Sequence, residues 1–85
     1  MNNASDVYEF VEQLKLACQS ARQTELLEKL NGALNLGSSG LEILGAIREI
    51  MVKNRKTIQS LLDSTKQVQI DEVISFVDRV YGRIR

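Results

Sequence analysis

The segment Ile70-Asp71-Glu72-Val73-Ile74-Ser75-Phe76-Val77-Asp78-Arg79-Val80-Tyr81-Gly82-Arg83-Ile84 decides the fold class. Ile70, Val73, Ile74, Val77, Val80, Tyr81 and Ile84 recur at separations of three and four, the spacing that lines one face of an α-helix. A strand would require alternation, and this stretch does not alternate. Asp71 and Glu72 fall in the first turn, and Arg79, Arg83 and Arg85 in the last turns, an order that complements the helix dipole. The spacing predicts a helix over about 69–84.

Working back from this segment, residues 63–69 are polar apart from Val68 and read as a connection. Before them, Leu41, Leu44, Ile47, Met51, Ile58 and Leu61 or Leu62 share a stripe that predicts a long helix over about 39–62. Asn54 interrupts that stripe among Lys53, Arg55 and Lys56, so a kink or a short turn is admissible there. Gly37-Ser38-Ser39-Gly40 is the strongest punctuation in the chain. Gly37 suits a left-handed helix end, and Ser39 with Glu42 fits a capping box that opens the next helix.

Leu26, Leu27, Leu30, Ala33 and Leu34 predict a helix over about 23–35, and Val7, Phe10, Val11, Leu14, Cys18 and Ala21 one over about 5–21. Ser5 or Asp6 can open the first. Between the two, Ser20 with Gln23 fits a capping box and Thr24 is an alternative cap, so a turn is favoured over one continuous helix. The expected fold is all-α: a small antiparallel bundle of three to four helices, forming a single domain over residues 1–85.

Composition narrows the chemistry. The chain holds 85 residues, one Cys and no His, Pro or Trp. Surface scaling lets a chain of this size bury roughly 60–65% of its unfolded surface, enough for one modest core but not a deep cleft as well. Without His, the side chain that titrates near neutrality and the commonest metal ligand are both missing. A single Cys rules out an intramolecular disulfide. No long apolar run suggests a membrane span, and the first residues lack the basic-then-apolar order of a secretory signal. A cytoplasmic protein is expected.

Four groups of residues are candidates for chemistry. The Gly37–Gly40 loop lacks the Lys-Ser/Thr ending and the preceding strand of a phosphate loop, and capping accounts for each of its residues. Glu9 with Glu12, and Glu25 with Glu28, lack the Glu-x-x-His partners of bundle metal sites and read as solvated faces. Cys18 lies on the apolar face of the first helix and reads as a small hydrophobe. Gly45, inside a helix, marks either a close approach by another element or a tolerated cost of about 0.5–1 kcal/mol. No catalytic, cofactor-binding or metal-ligating residue is assigned, and neither enzymatic activity nor a cofactor is expected.

Two surfaces stand out. Eleven basic and eleven acidic side chains cancel overall, but unevenly along the chain. Residues 1–35 set Lys15, Arg22 and Lys29 against Asp6, Glu9, Glu12, Glu25 and Glu28; residues 48–66 set Arg48, Lys53, Arg55, Lys56 and Lys66 against Glu49 and Asp63. Those five basic residues are a candidate docking patch for phosphate or an acidic surface. Leu36, Ile43, Ile50, Val52 and Phe76 fall beside the narrowest core stripes, together with Leu16, and form a candidate apolar interface. The expected function is therefore a non-enzymatic helical interaction protein, self-associating or docking on another protein through an apolar helix face. The alternatives are a weak nucleic-acid-binding module using residues 48–66, or an immunity- or antitoxin-type helical bundle. Partners are expected to be protein, including a second copy in a homo-oligomer, with nucleic acid weak and no membrane.

Overall fold

A computed structural model describes residues 1–37 and 39–83. Among them run five α-helices and no strand: α1 (Ala4–Ser20), α2 (Thr24–Leu34), α3 (Gly40–Lys53), α4 (Arg55–Leu61) and α5 (Ser64–Arg83). The expected parts played by Ser38, Ile84 and Arg85 fall outside the described residues.

The helix starts follow from short polar side chains. Asn3, rather than Ser5 or Asp6, caps α1: its side-chain oxygen accepts from the Asp6 N–H at 3.0 Å. Asp6 in turn accepts from the Asn2 N–H at 2.9 Å, so two otherwise orphaned donors are satisfied. Ser39 caps α3 as its spacing to Glu42 predicts, with the Glu42 N–H donating to Ser39 Oγ at 3.2 Å.

The turn between α1 and α2 is real, but neither expected side-chain cap makes it. Gln23 stands at the N-cap of α2 without a side-chain cap bond. The turn belongs instead to the end of α1. The Gln23 N–H donates to the Cys18 carbonyl at 2.8 Å and the Arg22 N–H to the Gln19 carbonyl at 3.3 Å. That is the paired bonding of a Schellman ending, with Arg22 at φ 56° in the left-handed position that glycine usually fills.

Two expectations for the second half are corrected. The helix expected over 39–62 is two helices, because Asn54 sends both its backbone N–H and its side-chain amide to the Ile50 carbonyl, at 2.9 and 3.1 Å. A side chain that competes for a helical carbonyl unseats the next turn, and α4 restarts with the Ile58 N–H on the Asn54 carbonyl. Residues 63–69 are mostly not a connection either. Asp63 accepts the Lys66 N–H on its carboxylate at 2.9 Å and so starts α5 at Ser64. Gln67 then donates to the carbonyls of Gln59 and Leu62, stitching the end of α4 to the first turns of α5.

α3 is the central element. It packs on α2, α4 and α5, while α1 packs on α2 and α4. Leu14, Leu30, Ile47, Met51, Ile58 and Ile70 are fully buried, so every helix places a large apolar side chain in one core. Each such burial stabilises the fold by about 1.5–3 kcal/mol. Among the described residues no polar or charged side chain is buried. The Cα radius of gyration, 12.2 Å, sits close to the value of about 12 Å that scaling gives for a compact domain of this length.

Gly45 marks a close approach. A Cβ at this position would collide with the Tyr81 hydroxyl, which donates to the Leu41 carbonyl one turn earlier in α3. The absent side chain is what lets the hydroxyl end of Tyr81 reach the backbone of α3.

Candidate functional site

On α2, Lys29, Gly32, Ala33 and Leu36 follow one another at helical spacing, the last just past the helix end. On α3, Ala46, Glu49 and Ile50 do the same. Where α2 packs on α3, these seven residues line one open, mainly apolar groove of roughly 300 Å³. Its floor is shallow because the residues there are small. Gly32 has open space where a Cβ would stand, and Ala33 and Ala46 add only a methyl group each.

Leu36 is the projection beside this depression. Its N–H is held by the Ala33 carbonyl at 3.4 Å, and Gly37 at φ 74° then turns the chain toward α3. Leu36 thereby stays on the surface, 49% exposed, instead of folding into the core. One charge stands on each wall: Lys29 on the α2 side, paired with Glu25 at 3.6 Å, and Glu49 on the α3 side, paired with Lys53 at 3.0 Å. Pairs this exposed are weak, on the order of 0–1 kcal/mol, and both side chains can re-aim toward a new partner at little cost.

The expected apolar interface divides. Leu36 and Ile50 meet in the groove, and Ile43 lies on the same stripe of α3, half-buried against the core. Val52 is 47% exposed at the α3–α4 corner, in a separate dip beside Lys53, Arg55 and Lys56. Phe76 is not a surface residue. It is buried at 9% exposure, with the Arg79 guanidinium 6.0 Å over its ring. The N-terminal segment reaches the same helix: the Met1 ammonium pairs with Glu72 at 3.3 Å and the Met1 carbonyl accepts from Arg79, while Met1 packs on the core.

Most of the expected basic patch is neutralised. Arg48 meets Asp78 at 2.7 Å and Arg55 meets Asp71 at 2.8 Å, pairs that tie α3 and α4 to α5. Lys53 is paired with Glu49, as above. Lys56 and Lys66 are exposed, with no carboxylate within 4 Å among the described residues.

The remaining groups place as follows. Glu9, Glu12, Glu25 and Glu28 are all exposed, and among the described residues no cluster of His, Cys, Asp and Glu is arranged to hold a metal ion. Cys18 is 1% exposed, and burial pushes its thiol pKa up, away from the reactive thiolate. Among the described residues no helix is long and apolar enough to cross a membrane. Compared with protein-family models, curated proteins and solved structures, the chain matches none.

Lys29, Gly32 and Glu49 escape a search for apolar stripes, since one is absent side chain and two are charges. Their signal is the spacing they share with Ala33, Leu36, Ala46 and Ile50, legible once two facing helices are read together.

Proposed function

We propose that this chain is a non-enzymatic helical interaction protein that binds an apolar helix face in the α2–α3 groove. The observation that carries the reading is the half-exposed Leu36 standing beside the small-residue floor of Gly32, Ala33 and Ala46. A large aliphatic side chain beside a shallow apolar depression suits helix-in-groove recognition, where one anchor supplies much of the binding energy. The short connection between α2 and α3 favours antiparallel walls, along which a partner helix can lie. A cytoplasmic setting belongs to the same reading, since the unpaired Cys18 needs no oxidising compartment. The ion pairs at Arg48, Lys53 and Arg55 weigh against the nucleic-acid alternative, because the carboxylates beside them lower the net positive charge that a phosphate would meet there.

A photoreactive side chain at position 36, activated in cells that express the chain, tests the reading. A covalent adduct of defined mass is expected from position 36 and not from position 16, where Leu16 is exposed but outside the groove. Adducts at both positions alike, or at neither, would overturn it.

A further inference from the structure

We infer that the boundary between α1 and α5 is a binding site for the free amino end of a peptide, which this chain fills with its own Met1. The main packing of α1 is on α2 and α4, and that of α5 is on α3, so the space between α1 and α5 is left to the residues ahead of α1. Met1 enters it with its side chain 6% exposed and packed on the core. Both of its polar groups are held there. The ammonium donates to Glu72 at 3.3 Å, and the carbonyl accepts from Arg79 at 3.2 Å. The next amide is held as well, the Asn2 N–H donating to Asp6 at 2.9 Å. The first residues of a domain are ordinarily poorly ordered unless tied down, and these three contacts tie down one peptide end from ammonium to second amide.

The same contacts define the ligand. Met1 and Asn2 stand beside two hollows, one of roughly 300 Å³ that Asp6, Glu9, Phe10 and Glu72 also line, and one of roughly 190 Å³ that Phe76 and Arg79 also line. Three carboxylates on the first hollow favour the positive charge of a free α-ammonium. An amine blocked by an acyl group carries no such charge to Glu72. Phe10 and Phe76 add apolar surface to each hollow, which suits a flexible thioether side chain. Asp6 requires an N–H from a second residue, so a peptide fits where a free amino acid does not. The site shares no residue with the α2–α3 groove, and it stands or falls apart from the function proposed above.

The full chain carrying M1G keeps the ammonium and removes the side chain, which leaves the site open to a peptide. Met-Asn-Asn-Ala labelled at its carboxyl end should bind M1G in a fluorescence anisotropy titration. It should bind the unaltered chain at least tenfold more weakly, because Met1 fills the site at an effective concentration of about millimolar. Acetylating the peptide's amine, or adding E72Q to M1G, should weaken binding about fivefold. An acetylated peptide that binds as well as the free one overturns the inference, as does an unaltered chain that binds as well as M1G. So does an M1G chain that is folded by circular dichroism and binds no peptide. A second measurement needs no change at Met1: acetylating the α-amine of the unaltered chain should lower its melting temperature by a few degrees, and E72Q should abolish that difference. Equal melting of the free and acetylated chains overturns recognition of the amine.

Discussion

The hydroxyl of Tyr81 occupies the space that a side chain at Gly45 would need, and it donates to the Leu41 carbonyl in the same stretch of α3. An aromatic side chain from α5 thus meets α3 at a position inside that helix where the side chain is a hydrogen atom. The contact fixes how the two helices sit.

Gly45→Ala should therefore destabilise the fold, although Ala is the better helix former by about 1 kcal/mol. Displacing the Tyr81 ring and its hydrogen bond should outweigh that gain and leave a net loss of about 1–3 kcal/mol in urea denaturation. In a Tyr81→Phe background the nearest atom is gone, and the cost of Gly45→Ala should shrink to near zero. An equal cost in both backgrounds would show that the hydroxyl is not the obstacle.

Arg22 holds a left-handed conformation in which an L side chain is strained by about 1–2 kcal/mol. Arg22→Gly should recover part of that, about 0.5–1 kcal/mol after the extra freedom of glycine in the unfolded chain is subtracted. The melting temperature should rise by a few degrees, whereas Arg22→Ala should give no such rise.

The start of α5 was written in the sequence but hidden by polarity. Ser64, Thr65, Lys66 and Gln67 carry no apolar signal, yet Asp63 supplies a cap and Gln67 binds back to α4. Apolar periodicity reports only the part of a helix that touches the core, so the exposed first turn of α5 left no trace in it. Asn54 was visible as an interruption because it broke a stripe that is buried on both sides, at Met51 and Ile58. Phe76 differs for another reason: it is buried on a side of α5 that Met1 also meets, through Glu72 and Arg79, and no local period encodes a contact between Met1 and α5. The α2–α3 groove was half legible. Leu36 and Ile50 stood out as apolar residues beside their stripes, while Gly32, Lys29 and Glu49 join them only through the packing of two helices.

Asp63→Ala should cost about 1 kcal/mol of stability through loss of the α5 cap, and Asp63→Asn should retain most of it. Thermal unfolding followed by circular dichroism would check the order. Equal losses in the two variants would show that the charge of Asp63, and not its capping oxygen, is what matters.

Cys18 gives the fold an alkaline limit. Burial raises its thiol pKa in the folded state above that of the unfolded chain, so the unfolded chain loses its proton first. The contribution is fully present below the unfolded thiol pKa, about 8.5, and is lost as pH rises from there through the folded value. Stability measured against pH should fall across that window, and the part due to the thiol should vanish in Cys18→Ala, judged against that variant's own stability at neutral pH. Thiol labelling should follow global unfolding; fast labelling of the folded chain would contradict the burial.

The central claim is that the α2–α3 groove is where this protein is bound. Photocrosslinking from position 36 in cells that express the chain tests it most directly. The account predicts an adduct of defined mass from position 36 and none from the exposed positions 16 and 68. An adduct from position 16 or 68 with none from position 36 would place the contact elsewhere and contradict it.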